Sequence, residues 1–81
     1  MKIPRDLYGA ELVKKLRRFG YESHHQTGSH LIIRTYKNGE NTQSVPNHKP
    51  LKVGTINGIL NEIAEHLEIE KKELVQMLFG K

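Results

Sequence analysis

The dipeptide Asn38-Gly39 constrains this chain more than any other pair of residues. Both residue types tolerate positive φ, as the tight turns of β-hairpins require, so the segments on either side are expected to run antiparallel. Before it stands "HLIIRTYK", rich in the β-branched and aromatic types that strands favour, and after it "ENTQSV". A second turn, Gly28-Ser29, separates "HLIIRTYK" from "YESHHQT", whose aromatic and polar makeup suits a short strand. Three strands in a meander are predicted. Alternation along the second puts Leu31 and Ile33 in the core and His30, Arg34 and Tyr36 on the open face, with His30 in solvent.

The flanking segments follow a helical period instead. In "GAELVKKLRRFG", Leu12, Val13, Leu16 and Phe19 form one stripe while Lys14, Lys15, Arg17 and Arg18 lie off it. This predicts an amphipathic helix from about Gly9 to Phe19, ended by Gly20. "TINGILNEIAEHL" carries apolar residues at 56, 59, 60, 63, 64 and 67, with Thr55 as the expected N-cap and His66 off the stripe, facing solvent. "IEKKELVQMLFGK" predicts a short last helix, with Ile69 and Leu74 spaced as a hydrophobic staple and Glu73 at the third helical position. The fold class is therefore α+β, in the order α-β-β-β-α with a three-stranded antiparallel sheet and an extra short C-terminal helix. A chain of 81 residues buries one modest core, so residues 1–81 are expected to form a single domain.

With no cysteine, neither a disulfide nor a thiolate metal site can support that core. The longest aliphatic run is "LII" at 31–33, and "MKIPRDLYGAE" has no apolar stretch of signal-peptide length. The expectation is a cytoplasmic protein with no membrane association. Charge is unevenly spread: residues 1–52 carry ten basic and four acidic side chains (+6), and residues 53–81 carry three and five (−2). A basic face of this kind attracts phosphates, although small, mildly basic domains are common.

Three of the five histidines fall within "HHQTGSH" at 24–30. Strand alternation sends His24 and His25 to opposite faces, and no HExxH-type spacing completes a metal site, so no metal is expected. Ser29 beside His30 lacks the strand-turn-helix setting of a nucleophile elbow; its hydroxyl or the turn's N–H groups can instead hold an anion. Cleavage of an RNA phosphodiester asks for less: a base for the ribose 2′-OH, an acid for the leaving oxygen, and donors for the phosphate. Histidine suits either proton transfer near neutral pH. His30 is the main candidate, against the plainer reading of a surface strand histidine. His48, in "PNHKPLKVG", is a candidate second acid or base, against a plain loop role, and His25 is a candidate to tune His30. Lys37, Lys49 and Lys52, in turns and loops around the sheet, are better placed to meet a phosphate chain than to stabilise the fold, and Arg34 joins them from the open face. The cations of "KKLRR" have a simpler explanation as partners of the helix dipole.

Taken together, "GAELVKKLRRFGYE", "QTGSHLIIR" and "VPNHKPLKVGTINGIL" resemble the HicA toxin family of bacterial and archaeal toxin–antitoxin pairs, over about Ile3 to Ile63. Helix 1 ending in Phe-Gly-Tyr, Gly-Ser-His at the entry to the second strand, and Pro-Asn-His shortly before Gly-Thr-Ile are jointly specific. The resemblance implies a fold like that of double-stranded-RNA-binding domains and an mRNA interferase activity that halts translation. It also implies His30 as the active histidine, a HicB-type antitoxin as partner, and no cofactor. "EIEKKELVQMLFGK" extends beyond the usual pattern, and the double histidine before "QTGSH" departs from it. The competing class is a non-catalytic module that holds double-stranded RNA by shape and phosphate contacts; a third reading is an inactive member kept for contact with its antitoxin.

Overall fold

The computed structural model describes residue 3, residues 6–47 and residues 50–80. Helix α1 (Gly9–Leu16) tightens into a 3-10 turn (Arg17–Phe19), and β1 (Glu22–Thr27), β2 (His30–Thr35), β3 (Asn41–Pro46), α2 (Val53–Leu67) and α3 (Lys71–Phe79) follow. The strands form one antiparallel sheet in the order β1-β2-β3. This is the α+β arrangement expected, with the extra C-terminal helix. At the hairpin both Asn38 (φ 60°) and Gly39 (φ 97°) adopt the left-handed conformation that made the dipeptide informative. Gly20 (φ 86°) ends the first helical segment as expected.

Helices cover one face of the sheet. Leu12, Leu16, Tyr21, Ile33, Val45, Ile56, Leu60, Ile63 and Leu74 are wholly buried between the layers, and Leu31 packs half-buried against them. Every residue of β1 is exposed, so this edge strand extends past the helical cover. Thr35 is buried with its polarity satisfied: its hydroxyl donates to the Phe19 carbonyl (3.1 Å) and accepts the Lys37 N–H (3.1 Å). Gly9 lies against the end of β3, where an added Cβ would come 2.1 Å from the Pro46 carbonyl oxygen, so only glycine allows α1 to approach so closely.

Three local expectations need correction. Helix α2 starts at Val53, capped by the backbone of Lys52 with no side-chain cap bond, and Thr55 lies inside the first turn. Leu51 is buried, and its N–H donates to the Leu7 carbonyl at 2.7 Å, so tertiary anchoring sets the helix start ahead of cap preference. His66 does not simply face solvent. Its Nε2 lies 3.0 Å from the Lys37 carbonyl and 2.9 Å from that of Gly39. Both partners only accept, so Nε2 carries the proton and donates to the hairpin turn.

The third correction concerns β1. Pairing runs Glu22 with Arg34 and Ser23 with Ile33, then slips, so that His25 pairs with Ile32, Gln26 with Leu31 and Thr27 with His30. This is a β-bulge at His24. In a regular strand Tyr21 and His25, four apart, would share a face; the extra residue lets Tyr21 enter the core while His25 stays opposite Ile32. A regular ladder counted back from the turn would set His24 opposite Ile33, toward the helices. Instead its ring stands edge-on to that of His25, centroids 5.1 Å apart, so the two histidines do not diverge.

The tail beyond the second helix is an integral layer. The Arg18 guanidinium donates to the Met77 carbonyl, and the Lys15 ammonium stands 5.6 Å from the Phe79 ring centroid. Two cations of "KKLRR" are thereby used to hold α3.

Candidate nucleic-acid site on the open face

Opposite the helices, alternation brings His25 and Thr27 of β1, His30, Ile32 and Arg34 of β2, and Thr42 and Ser44 of β3 to one face. Its focus is the end where β1 turns into β2. Gly28 takes φ 56°, and Ser29, half-buried, offers its carbonyl to the Asn47 N–H at 2.6 Å, extending the β2–β3 ladder past Pro46. His30 comes next, exposed, between Thr27 and Pro46. Among the described residues His66 is the only histidine whose ring is hydrogen-bonded. The His30 ring is thus accessible, and no described residue engages it, which leaves it open to a substrate.

Asn47 ties this end together. Besides bonding Ser29 through its backbone, its side-chain oxygen accepts the Ala10 N–H at 2.9 Å, satisfying one of the free donors in the first turn of α1. The motif "PNH" contained this residue, but nothing in its type or position announced a link between two elements 37 residues apart. Asn47 belongs to the frame of the site, and sequence reasoning missed it.

The predicted phosphate contacts are dispersed. Ser29 adjoins His30. Lys52, exposed, caps α2, whose other end meets the β2–β3 turn; at about 1.5 Å per residue the helix runs back along the sheet, putting Lys52 at the His30 end. Arg34 shares the face with His30 but lies four residues along β2, about 13 Å away. Its Nε–H lies 3.0 Å from the Thr42 hydroxyl and 3.3 Å from a Glu40 carboxylate oxygen. Nearby Tyr36 and Glu40 raise its pKa further still, and a guanidinium is a permanent cation in any case. Lys37 sits beyond the opposite end of β2, about 23 Å from His30, and reaches only a substrate that spans the sheet. His48 and Lys49 lie outside the described residues. No group of three or more His, Asp or Glu is arranged to hold a metal ion among the described residues.

Similarity to known proteins falls on the same part of the chain. The family model for the HicA toxin of bacterial toxin–antitoxin systems matches residues 9–64, from the start of α1 through most of α2. That span contains the entire sheet and the Gly-Ser-His turn, and leaves α3 outside. No curated protein and no solved structure matches the chain significantly. Among the described residues no helix is long and apolar enough to cross a membrane. With well over half its length matched, including every strand of the face that carries His30, the chain belongs to the HicA toxin family and is the toxin of a toxin–antitoxin system.

Proposed function

We propose that this toxin is a cytoplasmic, metal-independent endoribonuclease that cleaves mRNA and so stops translation, with residues 1–81 acting as one domain. The observation that carries this reading is the exposed imidazole of His30, hydrogen-bonded to none of the described residues and presented by a Gly-Ser turn on an open sheet face. In the reaction His30 takes the proton of the ribose 2′-OH as its oxygen bonds to phosphorus and the bond to the 5′-oxygen breaks. The products are a 2′,3′-cyclic phosphate and a 5′-hydroxyl. Ser29 and Lys52 beside the turn, Arg34 along the face and Lys37 further out act as phosphate contacts; Lys49 is a further candidate contact and His48 a further candidate acid or base.

Family membership implies a HicB-type antitoxin as partner. In this reading it covers His30 and offers acidic side chains to Arg34, Lys37 or Lys52, where opposite charge speeds encounter and buried apolar contacts supply lasting affinity.

The test is to induce wild type and His30→Ala in cells and follow growth and transcript integrity. Wild type should arrest growth and fragment transcripts; the variant should do neither. In vitro, cleavage should survive excess EDTA but weaken steeply with added salt, because phosphate contacts release counterions on binding. Loss on chelation with recovery on adding a divalent ion overturns the metal-independent mechanism. RNA binding without cleavage by wild type favours a non-catalytic double-stranded-RNA-binding module instead.

A further inference from the structure

Cleavage of an RNA phosphodiester needs two proton transfers, and His30 supplies one. We propose that His25 supplies the other, as the general acid that protonates the departing 5′-oxygen. The proposal rests on the ribonuclease reading above and adds a second catalytic residue to it.

Register is the ground for this assignment. The two-residue turn fixes Thr27 opposite His30, which puts His25 opposite Ile32. Residues that pair across an antiparallel ladder share a face, so His25 and His30 stand on the same side of the sheet as diagonal neighbours. Such positions are about 7–8 Å apart at the backbone, within reach of long and aromatic side chains. A phosphate fits between two imidazoles so placed, with each ring within hydrogen-bond reach of one of its oxygens. Attacking and leaving oxygens lie roughly in line through phosphorus, so base and acid must approach from opposite sides. One imidazole on β1 and one on β2 meet that requirement.

The bulge adds a second, independent reason. Bulges are enriched beside active sites, where they re-aim side chains. Here the irregularity lets Tyr21 be buried while keeping His25 on the solvent face four residues later, and it turns His24 back against the His25 ring. The titratable and charged groups facing His25 are Glu22 and His24 on its own strand and His30 and Arg34 on β2. A cationic imidazole there gives its proton to the 5′-oxygen as the P–O5′ bond breaks, while neutral His30 gains the 2′-OH proton. The two rings end with their protonation exchanged and return to the starting state through water.

The experiment compares wild type, His25→Ala, His30→Ala and His66→Ala on a short RNA and on the same RNA with sulfur as the bridging 5′ leaving atom. A thiolate leaves without being protonated, so it needs no general acid. On ordinary RNA, His25→Ala should lose about 10²–10⁴-fold in single-turnover rate, and one limb of the bell-shaped pH profile should vanish. On the thio-substrate it should return to within about tenfold of wild type, whereas His30→Ala should stay slow on both. His66→Ala, the control for loss of an imidazole remote from the phosphate, should change by less than about threefold. Wild-type rates for His25→Ala, an equal deficit on both substrates, rescue of His30→Ala instead, or an equal loss in His66→Ala each overturn the assignment. If wild type cleaves neither RNA, or His30→Ala cleaves as wild type does, the ribonuclease reading itself falls, an outcome distinguishable from all of these.

Discussion

The two ends of the sheet use histidine in opposite ways. At the β2–β3 turn His66 is bound: its Nε2 spans the Lys37 and Gly39 carbonyls, while the Asn38 side chain donates to the His66 carbonyl (2.7 Å) and to Glu68 (3.0 Å). Close by, the Tyr21 hydroxyl donates to Asn41 at 2.7 Å and buried Gln43 to the same oxygen at 3.1 Å. At the β1–β2 turn His30 has no such bonds among the described residues, and the fastening lies behind it, through Ser29, Asn47 and Ala10 and through the Gln26 side chain, which donates to the Gly28 carbonyl at 3.1 Å. One end is clasped by its side chains; the other leaves a side chain free on a fastened backbone. Residue type therefore says little about a histidine's role until its partners are known.

The largest effect expected from this contrast is kinetic. His30→Ala should lower RNA cleavage by about 10²–10⁴-fold, yet leave unfolding free energy within about 0.5 kcal/mol of wild type, because an exposed residue outside any bonding network contributes little to folding. Single-turnover cleavage beside urea denaturation measures both. A stability loss above about 2 kcal/mol would mean that His30 also holds the fold.

Next comes an alkaline transition at the clasped end. Burial pushes the Tyr21 hydroxyl from its ordinary 10.0 up to about 12. The folded protein thus keeps this proton at pH values where the unfolded chain has lost it. Its contribution is complete below about pH 10 and disappears as the pH rises toward about 12. Denaturation curves for wild type should show an excess loss across that window which Tyr21→Phe lacks. Parallel pH dependence in the two proteins would show that Tyr21 is ionised as readily folded as unfolded.

Elements whose identity depends on local periodicity could be read from sequence. The stripes of α1 and α2, the staple opening α3 and the Asn-Gly hairpin all follow from residue types a few positions apart, and His30 could be placed on the open face by alternation alone. Features that depend on distant partners could not. Two histidines in a row look alternate until Tyr21 must be buried and the strand inserts a residue. His66 looks solvent-facing until the hairpin, 27 residues earlier, lies against it. Thr55 looks like a cap until Leu51 is anchored on Leu7. In the site, Ser29 and His30 could be identified as a motif, but the link from Asn47 to α1 needed the folded chain.

Behind the free face the fastened end is tight, and Gly9→Ala probes it. The new methyl would stand 2.1 Å from the Pro46 carbonyl oxygen and 3.1 Å from a Val45 methyl, and backbone cannot step aside as a flexible side chain can. Overpacking of this kind costs about 1–3 kcal/mol. The displaced strand end carries Asn47, so cleavage should fall along with stability. Full stability in Gly9→Ala would mean that α1 and β3 separate freely, and the frame assigned to His30 would be looser than its hydrogen bonds suggest.

The smallest effect is expected from His66→Ala, and its direction is the useful part. The variant frees the Lys37 and Gly39 carbonyls, but Lys37, Asn38 and Gly39 are exposed, so water replaces the lost donor and the cost is near that of a typical net hydrogen bond, about 1 kcal/mol. The loss should be local. Amide exchange of Gly39, whose N–H donates to the Tyr36 carbonyl at 3.2 Å, should quicken, while exchange at the Asn47 N–H and single-turnover cleavage stay at wild-type values. Because the ring donates through Nε2 alone, His66→Gln, which also carries a side-chain N–H donor, should recover part of the protection and His66→Phe none. Cleavage that falls in His66→Ala without a change in stability would show that the hairpin end communicates with His30, and the division of the sheet into a structural end and a chemical end would be wrong.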